Sequence, residues 1–242
     1  CLKDSLQPKL HTEKPAMKIK ALSIAAILLL PVSLWSQVTE TIVGFDFAGT
    51  TTDPEPANTI AENITLLSGL NRVGLGASST SNAFGSNGWN TGTFNASDDY
   101  ISFSLSVDSG YMVTLTELSW TRLNASNTAP GTGRWGYSIN SGSFVLQDTF
   151  AITSANAAGA WDTIVITDVT GNIEFRFWAF GATSVNGGAS AAGGGVTYRN
   201  SIVGNDLVLN GSVALVPEPS TYALLALSGL ALAGYAARRR RR

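Results

Sequence analysis

The stretch Tyr100–Val107, read Tyr-Ile-Ser-Phe-Ser-Leu-Ser-Val, decides the fold. Ile101, Phe103, Leu105 and Val107 fall on one side of an extended chain, and Ser102, Ser104 and Ser106 on the other. Successive side chains of a strand point to opposite faces, so this alternation marks a strand with one buried and one wet face. Asp108-Ser109-Gly110 then reads as a turn, and residues 111–122 as the returning strand. Working outward, the same pattern predicts strands at 41–47, 133–139, 144–150, 162–167, 173–180 and 206–213. Gly, Asn and Ser clusters separate them at the spacing of an all-β sandwich. Residues 59–70 come nearest to an amphipathic helix and stay ambiguous. Residues 74–92 and 181–195 read as long loops, with too little apolar surface to offset the entropy of ordering them.

The two ends of the chain read differently from this middle. Residues 1–16 are polar and aperiodic and read as a translated leader ahead of Met17. Residues 17–36 follow the order of a secretory signal: Lys18 and Lys20, an apolar run from Ala21 to Leu30, then Pro31 and a cleavage region near Ser36. Residues 37–215 form the expected β-sandwich domain, one domain in size. Residues 216–242 hold Pro217-Glu218-Pro219, an apolar run to Ala237 and the arginines Arg238, Arg239, Arg240, Arg241 and Arg242. The prolines stop a strand ladder and the run is at the short end of what spans a bilayer. The arginines then act as a stop-transfer cluster held on the cytoplasmic side. Hence a signal helix and a short transmembrane helix are expected to flank the sandwich.

Charge and residue types narrow the chemistry of residues 37–215. They hold fourteen carboxylates against five arginines and no lysine, a net charge of −9 that argues against nucleic-acid binding. The chain's one Cys (Cys1) and one His (His11) lie in the leader. Ser-His-Asp and Cys-His nucleophiles, and zinc sites built from His and Cys, are therefore excluded from the domain. Carboxylate pairs remain as candidates for glycoside hydrolysis: Asp98 with Asp99, Asp53 with Glu55, and the single residues Asp162 and Glu174. All sit near turns, where acidic residues are common anyway, and the expectation is no enzyme.

The ordered tail of Pro-Glu-Pro, apolar run and arginine cluster resembles the PEP-CTERM sorting signal. The resemblance implies an exosortase as partner, acting at Pro217-Glu218-Pro219. It implies passage through the inner membrane of a Gram-negative bacterium, with delivery to the cell surface or extracellular matrix. The body is also similar to the sandwich domains often found on such proteins, through residues 99–120, 135–144 and 205–213. That similarity implies a jelly-roll sandwich of the carbohydrate-binding-module type, its first and last strands side by side.

Two kinds of site are expected on such a sandwich. Structural calcium takes oxygen ligands, for which Asp46, Asp99 and Asp206 are the candidates. Sugar rings stack on flat aromatic side chains with hydrogen-bonding neighbours. Alternation in 173–180 sends Ile173, Phe175 and Phe177 one way, and Glu174, Arg176 and Trp178 the other, a row suited to glycan contact. Trp135 and Tyr137 share one face of the neighbouring strand and join the candidate list. The competing reading places these tryptophans in the core. The function expected is an exported, non-enzymatic surface or matrix protein, or alternatively a carbohydrate-binding module for exopolysaccharide.

Overall fold

A computed structural model describes residues 38–49, 51–78, 81–164, 166–200, 203–217 and 219–240. The expected leader and signal peptide lie outside them, as do Glu218, Arg241 and Arg242. The strands in chain order are β1 (Glu40–Phe45), β2 (Thr59–Ile60), β3 (Ile64–Val73), β4 (Gly76–Ser78), β5 (Ala83–Asn87), β6 (Tyr100–Val107), β7 (Tyr111–Ala125) and β8 (Pro130–Ile139). There follow β9 (Val145–Leu146), β10 (Phe150–Ala151), β11 (Ala157–Trp161), β12 (Ile166–Val169), β13 (Gly171–Ser184), β14 (Val196–Arg199) and β15 (Leu207–Leu215).

These strands form two antiparallel sheets. One runs β2-β1-β15-β7-β14-β5-β4, with β11 and β12 on the other side of β7; the second runs β10-β8-β13-β6-β3, with β9 on β8. The first and last strands pair directly, Phe45 opposite Leu207 and Glu40 opposite Gly211, as a jelly-roll sandwich requires. The alternation in β6 is realised: Ile101, Phe103 and Leu105 are buried, and Phe103 stacks on Phe175 of β13 at 4.9 Å. Aromatic contacts tie the sheets together. Phe45 meets Phe103 edge-on at 5.3 Å, and Phe177 meets Tyr198 of β14 at 5.5 Å. With no disulfide to help, this interlocked layer carries the stability, at about 25 cal/mol per Å² of apolar surface buried.

Several elements depart from expectation. Residues 59–70 hold strand β2 and the first part of β3, joined by a turn at 61–63, with Leu70 buried. The apolar residues there satisfy a strand facing the core, a reading that a short run does not separate from a helix by periodicity alone. Residues 74–92 contain β4 and β5, and Phe84 is buried in the core. The expected strand 162–167 is displaced, with β11 before it and β12 across its end. The expected strand 144–150 reduces to the two short strands β9 and β10.

The sandwich lies within the unit Gln37–Glu218. The helix α1 (Pro219–Arg240) belongs to a separate unit. Proline suits the first helical position, where its missing N–H is not needed, and Arg238, Arg239 and Arg240 fall in the last turn, where cations complement the helix dipole. Its 22 residues rise about 33 Å. Leu224, Leu227 and Leu230 are exposed. Among the described residues no helix is long and apolar enough to cross a membrane.

Candidate functional site

Strand β13 has two faces of different character. Ile173, Phe175 and Phe177 are buried in the core. Glu174, Arg176 and Trp178 stand on the outer face of the six-stranded sheet. Cross-strand register sets their neighbours: Arg176 lies between Ser102 of β6 and Gly136 of β8, and Trp178 lies opposite Arg134.

Arg176 is the centre of this face. Its Nε donates to Glu174 Oε1 at 2.6 Å. Its guanidinium carbon sits 4.1 Å from the Tyr100 ring centroid and 4.3 Å from that of Phe144. A guanidinium held between two rings and fixed by a carboxylate is strongly oriented. Ser102 donates to Asn71 Oδ1 at 2.7 Å, so a hydroxyl and an amide border the same place.

Trp178 does not offer an open platform. It is 1% exposed, with Phe94 and Phe144 meeting it edge-on at 5.5 and 5.6 Å. A side chain at Gly136 would press on the indole, whose nearest ring carbon is 3.1 Å from where a Cβ would stand. Glycine there lets the ring lie flat on the sheet. The Trp178 Nε1 and the Arg134 Nε are both buried without a hydrogen-bond partner among the described residues. Phe94 touches both side chains, with Arg134 Cζ 4.9 Å from its ring centroid. The loop carrying Phe94 folds around Asp98, which accepts from Asn90 Nδ2 at 2.6 Å and from Asn95 Nδ2 at 2.9 Å. It meets the sheet where the Gly181 N–H donates to the Asn90 carbonyl.

Trp135 and Tyr137 are on the other side of the sheet. Register pairs Phe177 with Trp135 and Phe175 with Tyr137, so both share the core face. Trp135 is 0% exposed and packs against Phe177 and Tyr198. Neither presents a ring to a sugar on the face that carries Arg176. Burial pushes the Tyr137 phenol above its ordinary range. It pushes the Tyr198 phenol well above 10, opposed by the Trp135 indole N–H.

The expected calcium trio does not converge. Asp206 is buried, its Oδ2 accepting from the Phe47 N–H and its Oδ1 from the Thr121 hydroxyl. Asp46 Oδ1 accepts from the Ala48 N–H and from Asn200 Nδ2. Asp99 stands against Gly74, at the edge where β6 begins. Among the described residues, no three His, Cys, Asp or Glu are grouped so as to hold a metal ion. The carboxylates considered for hydrolysis are similarly engaged: Asp53 pairs with Arg72 at 3.1 Å and Glu55 accepts from the Thr52 hydroxyl at 3.2 Å.

Sequence reasoning missed Phe94, Tyr100, Phe144 and Arg134. Two of them were within reach. Tyr100 opens the quoted alternation on the serine face, and Arg134 alternates with Trp135. Phe94 and Phe144 lie outside the strands, where periodicity carries no information.

At the chain end, Pro217 is exposed and Pro219 opens α1, ahead of the arginines of its last turn. Residues 215–242 match a family model described as the PEP-CTERM protein-sorting motif. The tail is a PEP-CTERM sorting motif. The motif implies sorting by an exosortase, with export through the membrane toward the surface of a Gram-negative cell. No curated protein matches the chain.

Among solved structures, the chain is similar to family 29 carbohydrate-binding modules. One is a mutant module complexed with mannohexaose, at 14% identity and a TM-score of 0.38, covering 72% of this chain and 92% of that one. Another is a mutant complexed with cellulohexaose, at 15% identity and a TM-score of 0.35, covering 72% and 90%. A third is described as a family 29 carbohydrate-binding module, at 13% identity and a TM-score of 0.36, covering 72% and 89%.

Proposed function

We propose that this chain is a non-catalytic surface or matrix protein, a β-sandwich of residues 37–215 delivered by its PEP-CTERM tail. The observation that carries the proposal is the state of the carboxylates in a domain without His, Cys or Lys. Asp53, Glu55, Asp98 and Glu174, four of the six hydrolytic candidates, are committed to structural hydrogen bonds or ion pairs. Glycoside hydrolysis needs one carboxyl to give a proton and a second to act across a sugar ring, and a carboxylate clamped by arginine serves neither role well. In this proposal the PEP-CTERM tail takes the precursor to the inner membrane, the arginine cluster marks its cytoplasmic side, and the exosortase acts at Pro217-Glu218-Pro219. The test is purified protein incubated with a panel of polysaccharides, followed by measurement of new reducing ends. No release is expected. Release that disappears on substituting any of these carboxylates overturns the proposal.

A second reading is favoured by one feature, the Arg176 guanidinium between Tyr100 and Phe144 on the outer sheet face. Half-exposed aromatic rings beside an oriented polar group, with Ser102 and Asn71 nearby, have the chemistry of a polysaccharide-binding face. In this reading Glu174 and Arg176 hydrogen-bond sugar hydroxyls while Tyr100 and Phe144 carry the stacking. Trp178 supports them from beneath. Retention of the protein by the producing cell's exopolysaccharide, weakened in Tyr100→Ala, is the expected result. Absence of retention removes this second reading and leaves the first standing.

A further inference from the structure

Arg134 has a setting unlike that of the other arginines of the sandwich. Arg72 pairs with Asp53, Arg176 with Glu174, and Arg199 donates to Asn124 Oδ1 at 3.2 Å. Arg122 is exposed to solvent. Arg134 is half-buried, its guanidinium rests on the Phe94 ring, and its side chain makes no hydrogen bond or ion pair among the described residues, the buried Nε included. Its cross-strand neighbour Trp178 is 1% exposed and also keeps an unpartnered N–H. Two unpartnered buried donors on adjacent strands are costly, each by the desolvation of its group. The setting is also unusual for this domain, whose fourteen carboxylates include none that reaches Arg134. The donors lie on the same face as Arg176, so they extend that face rather than form a separate place.

We infer that Arg134 and the Trp178 N–H form a subsite for the carboxylate of an acidic polysaccharide, covered in this state by the Phe94 loop. The inference rests on the polysaccharide reading above and names its substrate class. A uronate carboxylate accepts more than one hydrogen bond, and a guanidinium supplies charge that a neutral sugar hydroxyl does not use. Phe94 stacks on Arg134 when no sugar is bound, and it is the group displaced when one enters. Its loop closes largely on itself through Asn90, Asn95 and Asp98, so moving Phe94 leaves the sheet ladder intact. Arg176, neutralised by Glu174, then serves the neutral hydroxyls of the same chain.

The test measures binding of the full chain, purified in detergent, to polygalacturonate and to alginate. Each is compared with its methyl-esterified form, which keeps the backbone and removes the charge. Binding to the acids at least about tenfold tighter than to the esters is expected, weakening as salt is raised. Arg134→Gln is expected to bring the acids down to the level of the esters, Arg134→Lys to restore part of the difference, and Phe94→Ala to tighten acid binding. Equal binding of acid and ester by the unaltered protein, a comparison that needs no variant, overturns the anionic subsite while leaving the polysaccharide reading intact. No binding to any of the four polymers, together with no retention by exopolysaccharide, removes both.

Discussion

The two faces of β13 differ in what they leave unfinished. On the inner face Ile173, Phe175 and Phe177 are each 0% exposed, and every ring packs against another from either sheet. On the outer face Trp178 is almost as deeply buried, and its N–H and the Arg134 Nε–H find no partner among the described residues. Ile173, Phe175 and Phe177 bring no donors, but beside them Trp135 Nε1 and the Tyr198 hydroxyl, both neutral, are also buried without a regular hydrogen bond among the described residues. The outer face differs in that its unpartnered donors include a guanidinium nitrogen, and burying part of a charged group costs more than burying a neutral one. What separates the two faces is charge, absent from the inner face and supplied on the outer one by Arg134 and Arg176.

The comparison is most severely tested by truncating each face. Phe177→Ala removes a ring that contacts Trp89, Trp135, Phe150 and Tyr198, and is expected to cost about 3–5 kcal/mol in denaturant unfolding. A loss under about 1 kcal/mol would contradict its place at the centre of the core. Trp178→Phe separates the outer-face ring from its N–H. Because that N–H has no partner among the described residues, only the lost ring volume counts, and the cost is expected at about 1–2 kcal/mol. A loss above about 4 kcal/mol, beyond what the lost ring volume explains, would show that the donor is satisfied within the fold.

These two residues also show how far the sequence could be read. Alternation in β6 and β13 gives the core side chains directly, because a period of two is fixed by strand geometry. It also puts Glu174, Arg176 and Trp178 on one face. It does not give the register between strands, and register is what assigns Trp135 to the core opposite Phe177. Strand β3 was hidden because Leu66, Leu67 and Leu70 fit a helical spacing as well as a strand. Phe94 and Phe144 act from loops, whose placement depends on contacts distant in the chain. The tail was legible because its three parts follow each other without gaps.

A smaller effect tests the core through pH. Burial raises the Tyr198 phenol well above its value of 10.0 in the unfolded chain. The unfolded state therefore loses this proton first as pH rises, and stability falls above about pH 10, being fully present below it. Tyr198→Phe is expected to flatten that alkaline decline, seen as thermal midpoints measured from pH 9 to 11. An unchanged slope would contradict the phenol's burial. Smallest of all is Glu174→Gln. The Glu174–Arg176 pair lies near the surface, with side chains 34% and 19% exposed, and its removal is expected to cost about 0.5–1 kcal/mol. A loss above about 2 kcal/mol would place this pair with the core rather than with the working face.

On the polysaccharide reading, the outer face of the six-stranded sheet is the surface on which the protein works. Affinity electrophoresis through gels containing exopolysaccharide tests it most directly, comparing the unaltered chain with a Tyr100→Ala, Phe144→Ala double variant of confirmed fold. Retardation of the unaltered chain is expected, and its loss in the variant, since the two rings that hold Arg176 are gone. Equal retardation of both proteins would contradict it.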